Sequence, residues 1–429
     1  MKTVGVGIIG CGVVGGGVWK HWERNRKLMN QRTGINVEIR RIAERDSSKV
    51  NDLPPEIVTN DWRALLNDPQ VNVIVELVGG TTIAKEIAEA AIRAGKPLVT
   101  ANKALLAELG NEICGLADQK GTPIYFEASV GGGIPIIKAL KEGLRANDVK
   151  SIHGIVNGTC NYILSRMSED QMSFETALAE AKRLGYAEAN ESLDVDGMDA
   201  AHKAAILASL AYGFWVNTKQ VYVEGIRKIE EMDIALAKKF GYAMKLLAII
   251  RADKSKHFSV RVHPTLIPEK HILASVSGVY NAIAVEGDVV GHTLFYGRGA
   301  GADAAASAVL NDIYEAGMDW VEERKPSPLV RHDLFGKPVA MDDVKTRYYM
   351  RLTAVDKPGV LAQIAAILGN HQVGISSVFQ PQRSEGNAVP LVIITDHAKE
   401  GVFMKAIQDI NALPVTKGNA RIIRVEDLS

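Results

Sequence analysis

The chain has 429 residues, enough for roughly two to four domains with cores of their own. Hydrophobic residues are 47% and charged residues 23%, an ordinary globular balance, and 50 Lys and Arg offset 50 Asp and Glu. Zero formal charge argues against a nucleic-acid or membrane surface as the main business. Three cysteines without metal-ligand spacing (Cys11, Cys114, Cys160) argue against a zinc site or a disulfide framework.

The N-terminus "MKTVGVGIIG" runs into a strand pattern without the apolar core and cleavage site of a signal peptide. No apolar run approaches the roughly 20 residues that span a bilayer. A reducing, cytoplasmic setting is expected.

In chain order, "TVGVGII" (3–9) predicts a short buried strand, and "GCGVVGGGVWKHWERNRKLM" opens a helix. A second strand is expected over 37–45, and a third in "VNVIVELVGG" (71–80). A helix over 83–94, "KPLVTANK" (96–103), a helix over 104–119 and the strand "PIYFEAS" (123–129) follow. Strands alternating with helices imply βαβ units and a parallel sheet. After residue 135 the pattern changes. "VKSIHGIV" (149–156) reads as a strand, and helical stretches dominate 157–250. Strand runs return at 258–267 and 277–297, and "GADAAASAVLNDIYEAG" (301–317) reads as a helix. Residues 320–346 are charged and proline-bearing, as a linker would be. Residues 347–428 then give the order βαββαβ of a ferredoxin-like unit.

Two features carry chemistry. Gly10, Gly12 and Gly15 form G-x-G-x-x-G between a strand and a helix. The first glycine permits a tight turn, the second lets a pyrophosphate approach the backbone, and the third lets helix and strand pack closely. The helix N-terminus offers N–H groups to the phosphates. After the second strand, "AERDSSK" (43–49) offers Arg45 and Lys49 to a 2′-phosphate, and Glu44 or Asp46 to a ribose hydroxyl. NADP is the expected preference, with NAD tolerated. The second feature is "GYAEANESLDVDGMDAAHK" (185–203), where Asp199 and Lys203 stand four apart, on one helix face. On spacing alone this pair reads as an exposed salt bridge.

The chain resembles, over essentially its full length, a monofunctional bacterial homoserine dehydrogenase with a C-terminal ACT domain. The resemblance rests on "GIIGCGVVGGG", "ELVGG", "TANK", "EASVGGGIPII", "NGTCNYIL", "GYAEANESLDVDGMDAAHK" and "GRGAGADAAASAV" in this order. It implies an α/β protein. A Rossmann-type parallel sheet (1–135, completed by a helix from about 301–320) precedes a mixed α+β catalytic and dimerisation domain (136–300). A linker (321–346) then leads to a ferredoxin-like ACT domain (347–429). The implied reaction is NAD(P)H-dependent reduction of L-aspartate 4-semialdehyde to L-homoserine, in threonine, methionine and isoleucine biosynthesis.

By resemblance, Lys203 is the acid/base group, Asp199 orients it, and Lys103 is a second active-site lysine. Glu188, Asp194, Thr159, Asn157 and Tyr186 bind substrate; for Asn157 and Thr159, plain helix capping stays an alternative. Gly10, Cys11, Gly12, Val13, Val14, Gly15, Arg45, Lys49, Thr100, Lys103 and Gly299 would contact cofactor. Glu127 with the backbone of Val130, Gly132 and Ile134 would hold Na⁺ or K⁺, as oxygen-only ligation suits a hard cation. L-Threonine is the implied effector, with Asp356, Gly359 and Asn370 in its site, and a homodimer or homotetramer the implied assembly. Two rivals remain at this point: a semialdehyde dehydrogenase acting through Cys160, and a catalytically idle amino-acid sensor.

Overall fold

The computed structural model describes residues 1–324, 334–336, 338–381, 384 and 386–428. It groups into two compact units, each assembled from three stretches of chain. One takes Met1–Gly158, Asp199–Val221 and Val279–Phe335; the other takes Thr159–Met198, Tyr222–Gly278 and Gly336–Ser429.

The first unit is built on six strands: β1 (Thr3–Ile9), β2 (Asn36–Ala43), β3 (Val58–Thr59), β4 (Val73–Glu76), β5 (Leu98–Thr100) and β6 (Ile124–Tyr125). They pair all-parallel in the order β3-β2-β1-β4-β5-β6. Parallel neighbours need crossover connections, and crossover helices cover both faces of the sheet, so its strands are apolar on both sides. β1 accordingly buries six of its seven residues. On one face Val4, Val6 and Ile8 pack with Val18 and Trp22 of the helix Val13–Thr33, and with Val309 and Ile313 of the helix Ala302–Glu322. On the other, Ile9, Ile74 and Leu98 meet Ile87 and Ile113. The strand order reverses between β1 and β4, which opens a crevice at the carboxyl ends of the strands. The same unit holds an antiparallel sheet of Val149–Ile155, Tyr280–Gly287 and Gly291–Arg298. It also holds most of the helix Met198–Tyr212, which is buried on nearly every side.

In the second unit, six strands form one sheet in the order 242–252, 258–268, 416–425, 345–355, 388–395, 375–379. The last four, with helices Val360–Asn370 and Glu400–Asn411, make the expected βαββαβ arrangement. Its core is Tyr348, Leu352, Ile364, Phe403 and Ile407, with the Tyr348 and Phe403 rings stacked 3.9 Å apart. The arrangement is more than tethered: Thr416–Val425 pairs in parallel with Phe258–Pro268. Arg424, buried, binds Glu400, and reaches Glu224 at 2.7 Å. Arg261 and Glu426 pair at 2.8 Å.

Three local expectations change. Residues Tyr242–Ala252 form an eleven-residue strand rather than continuing the helical stretch, buried over seven consecutive positions. A run buried at every position, Lys245 included, lacks the alternation that separates strand from helix. The strand expected over 123–129 ends at Tyr125, and Glu127–Ser129 turn as a 3₁₀ helix. The helix expected over 301–317 runs on to Glu322. Most of the linker's proline-bearing centre, residues 325–333, lies outside the described residues.

Candidate active site

The three glycines behave differently. Gly10 has φ +99°, and a Cβ there would stand 2.7 Å from the Leu77 carbonyl oxygen. Gly15 lies against the turn itself: its Cβ would be 2.2 Å from the Gly10 oxygen. Gly12 has nothing within 4 Å of such a Cβ, so the protein's own packing does not require it. It caps the N-terminus of Val13–Thr33, where Val13 is 76% exposed and Val14 half-buried. Room above an N-terminal turn is what a pyrophosphate needs.

Beside this turn a cavity of about 280 Å³ is lined by Gly10, Gly12, Glu44, Arg45, Lys49 and Trp62, among others. The two acids of the 43–49 loop are used internally. Glu44 accepts the N–H of Cys11 at 2.7 Å, of Arg45 at 2.9 Å and of Asp46 at 3.1 Å. Burial pushes its carboxyl up, but these N–H groups and Lys49 hold it below the usual range. Asp46 accepts the N–H and hydroxyl of Ser48. Lys49 reaches Asp46 only at 3.8 Å, and no ion pair of Arg45 is found among the described residues.

At the carboxyl edge of the sheet lies a residue that the sequence reading passed over. Glu76, fully buried at the end of β4, accepts the Thr100 hydroxyl at 2.6 Å and the N–H groups of Val78 and Gly79 at 2.9 and 3.3 Å. Burial raises its carboxyl. Thr100 also accepts the Asn102 N–H, so its hydroxyl serves the fold. Asn102 donates to the Gly80 carbonyl at 2.7 Å and caps Lys103–Lys120 by accepting the Leu105 N–H. Glu76 thus ties together the loops 78–80 and 100–103. A signal was present: one carboxylate ending the apolar strand "VIVE" ahead of two glycines.

Lys103 opens its helix and reaches Asp199 at 3.2 Å. Asp199 also takes Lys203 at 2.7 Å and the Asn157 amide at 2.9 Å. Lys203 donates in addition to the Val156 carbonyl at 2.7 Å. Asp199 and Lys203 are each 8% exposed, so this is no surface salt bridge. Burial pushes the Asp199 carboxyl up; the ammoniums of Lys203 and Lys103 outweigh it and hold it far below the carboxylate range. Four predicted residues, from three segments, therefore meet in the first unit. Gly299, also there, packs so close to the Asn281 amide that a Cβ would fall 1.9 Å from it.

The other substrate candidates fall in the second unit. Thr159 donates its hydroxyl to the Tyr186 carbonyl at 2.6 Å. Asp194 is half-buried in the single turn Ser192–Val195, and its carbonyl accepts the Cys160 thiol at 3.2 Å. Glu188 and Tyr186 are exposed. Cys160 is fully buried, unlike a thiolate nucleophile, which sits partly exposed near positive charge.

Glu127 accepts the N–H groups of Ile137 and Lys138 at 2.8 Å, and donates its own N–H to Asp312. Burial raises both carboxyls, and each is raised further by neighbouring acids. Val130 and Ile134 are buried, and Gly131 and Gly132 turn the chain between them with positive φ. In the βαββαβ part, Asp356 accepts the Ser384 N–H at 2.8 Å, and Gly359 stands at the N-cap of Val360–Asn370 with φ +87°. Asn370 ends that eleven-residue helix, about 16 Å away, so one copy of the chain does not bring the three together.

Residues 10–127 match the family "Homoserine dehydrogenase, NAD binding domain", and residues 135–314 match "Homoserine dehydrogenase". A homoserine dehydrogenase of Pseudomonas aeruginosa is 43% identical over 438 aligned residues, all of both chains. The chain belongs to the homoserine dehydrogenase family. The crystal structure of a homoserine dehydrogenase from Thiobacillus denitrificans superposes with a TM-score of 0.94 at 40% identity, covering 100% of this chain and 99% of that one. A hyperthermophilic archaeal homoserine dehydrogenase in complex with NADPH gives 0.64 at 26% identity, covering 74% of this chain and 98% of that one. This homoserine dehydrogenase family member is an NAD(P)-dependent oxidoreductase with a nicotinamide cofactor.

The glycine geometry separates cofactor binding from folding. Gly12→Ala is expected to leave urea-unfolding stability unchanged while raising KM for the cofactor. Gly15→Ala is expected to lose about 1–3 kcal/mol of stability through overpacking. Equal stability loss in both variants would assign Gly12 to packing.

Proposed function

We propose that the chain reduces L-aspartate 4-semialdehyde to L-homoserine with NADPH, taking NADH less well, and that Lys203 supplies the proton. The observation that carries this reading is the Asp199 carboxylate bridging two lysines beside the Val156 carbonyl. The reduced nicotinamide supplies the hydride when bound. An ammonium has three N–H donors. Among the described residues Lys203 uses two, on Val156 and Asp199, which leaves one for the aldehyde oxygen as it gains charge. That N–H then passes its proton to the oxygen, giving the alcohol and a neutral amine. Asp199 fixes the amine's direction, Asn157 fixes Asp199, and Lys103 adds positive charge beside the same carboxylate. Glu188 and Asp194 take the substrate's amino group, with Tyr186 and Thr159 supporting that loop.

For the cofactor, Arg45 with Lys49 receives the 2′-phosphate, because Glu44 and Asp46 are bound to backbone and Ser48. Gly10 to Gly15, with Cys11, Val13 and Val14, form the pyrophosphate turn, and Thr100, Lys103 and Gly299 flank the nicotinamide end. A sodium or potassium ion at Glu127 and the carbonyls of Val130, Gly132 and Ile134 would relieve the crowding of buried carboxylates there.

The residues beyond 346 carry regulation: an ACT domain binding L-threonine through Asp356 and Gly359, with Asn370 contributed by a second copy in a dimer or tetramer. Two facts support a separate task for them. The family match ends at residue 314, and the archaeal relative covers 74% of this chain. The setting is cytoplasmic.

The deciding assay is NADPH oxidation with aspartate semialdehyde and identification of homoserine. Lys203→Ala is expected to lower kcat about 10²–10⁴-fold while NADPH still binds; near-normal turnover would remove Lys203 from the proton step.

Arg45→Ala is expected to raise KM for NADPH far more than for NADH, and equal rises would end its role in 2′-phosphate recognition.

In the same assay, millimolar L-threonine is expected to inhibit wild type and to act more weakly on Asp356→Ala. Sodium depletion is expected to slow wild type more than Glu127→Ala. Indifference to threonine or to monovalent cations would cancel the corresponding site.

A further inference from the structure

The turn that carries Asp194 is held from outside by one side chain. Arg227 donates to Asp196 at 2.6 and 3.4 Å, to Glu191 at 3.1 Å and to the Ser192 hydroxyl at 3.2 Å. Those three partners bracket Asp194 in sequence. Lys182 reinforces the grip, reaching Glu191 at 2.7 Å. Hydrogen bonds from Lys182, from its own backbone and from Arg227 pull the Glu191 carboxyl down to about 2. A single exposed ion pair would contribute little. Here a planar guanidinium meets three side chains at once, which fixes direction as well as charge.

The backbone leading to Arg227 is pressed against the same turn. The Ile226 N–H donates to the Val195 carbonyl at 2.8 Å. A Cβ on Gly225 would stand 2.2 Å from the Val195 oxygen and 2.5 Å from the Asp196 Cα. Only a glycine allows that approach.

Three residues further on, the same stretch is fastened to the C-terminal sheet. Glu230 accepts Arg351 at 2.7 Å and Arg421 at 3.0 and 3.1 Å. Asp233, 1% exposed, accepts Arg351 at 2.5 and 3.1 Å and the Tyr349 hydroxyl at 3.2 Å. Arg351 lies in the strand Lys345–Val355 and Arg421 in Thr416–Val425. Residues 225–233 are thus a strut. One end grips the turn around Asp194, and the other is pinned to the βαββαβ sheet.

We propose that Arg227 is a positioning residue for substrate binding: it holds the 191–196 turn so that Asp194 can take the substrate's amino group, and the strut makes that position depend on the C-terminal sheet. This rests on the reading of Asp194 as a substrate ligand. Nothing in it requires Arg227 to touch substrate or cofactor.

The test is steady-state kinetics on the full chain. Arg227→Met is expected to raise KM for aspartate semialdehyde about tenfold, with KM for NADPH unchanged and kcat nearly so; Arg227→Lys restores part of the loss. Glu230→Gln, at the far end of the strut, gives a smaller rise of the same kind. It adds nothing further in the Arg227→Met background, because both act through one turn. Should Arg227→Met fail to fold, Arg227→Lys and Glu230→Gln still carry the test. Parallel rises in both KM values, or a semialdehyde KM unmoved by Arg227→Met while Asp194→Asn raises it, would overturn the inference and leave the substrate reading standing. Asp194→Asn with a normal semialdehyde KM would overturn that reading and the inference together.

Discussion

The candidate active site is organised around the charge of one buried carboxylate, Asp199. The helix Met198–Tyr212 is packed on nearly every side, so an ammonium on it has little water to turn to. Leaving a buried charge unpaired costs several kcal/mol. Asp199 supplies the compensation for Lys203 and draws in Lys103 from a different loop. Its place in the first turn of the helix adds the favourable end of the helix dipole. Because Lys203 also bonds the Val156 carbonyl, one carboxylate fixes the end of a strand, a helix and a βα loop relative to one another. Two positive charges thereby lie side by side with a single negative one, an arrangement suited to an oxygen that becomes negative during the reaction.

Glu76 does the complementary work at the sheet edge. Among the described residues no cation pairs with it; it is satisfied by a hydroxyl and two backbone N–H groups. Its burial raises its carboxyl, whereas the lysines lower that of Asp199. Both acids are buried, and the difference is the partner. Through Thr100 and Asn102, Glu76 sets where Lys103 begins its helix, so the Lys103–Asp199 contact depends on both.

Much of the fold was legible because its signals are local. Strand β1, the glycine turn and the helix after it follow from apolar runs, Gly spacing and an N-terminal helix signature over a few residues. The βαββαβ order was legible for the same reason. Tyr242–Ala252 was not, because a strand buried over seven successive residues has no alternation to read, and Ala, Leu, Met and Lys favour helix. At the site, the Asp199–Lys203 spacing and the alanine-rich, packing character of their helix were visible, but spacing alone pointed to a solvated pair, and the contacts with Lys103 and Asn157 were not legible. That Glu44 is spent on the backbone of Cys11, and Thr100 on Glu76, belongs to tertiary contact, which no pattern within "AERDSSK" or "VTANK" encodes.

The C-terminal part shows how far such contact changes a functional argument. Read from sequence, a charged, proline-bearing linker ahead of residue 347 suggests a separate unit. In the structure its last strand continues the sheet begun by Tyr242–Ala252 and Phe258–Pro268, and Arg424 is buried between Glu400 and Glu224. A buried ion pair is weak evidence for stability, because desolvation offsets most of the attraction, but breaking one is expensive. The join therefore disfavours partial detachment more than it strengthens the whole. An effector can shift activity only if it binds two arrangements with different affinity. With the sheet continuous, those arrangements cannot differ by hinging at the join without breaking the Arg424 contacts. Under the proposed regulation they would differ by small shifts carried along packed elements, and the segment from Gly225 to Asp233 is such an element, fixed to Arg351 and Arg421 at one end and to the Asp194 turn at the other.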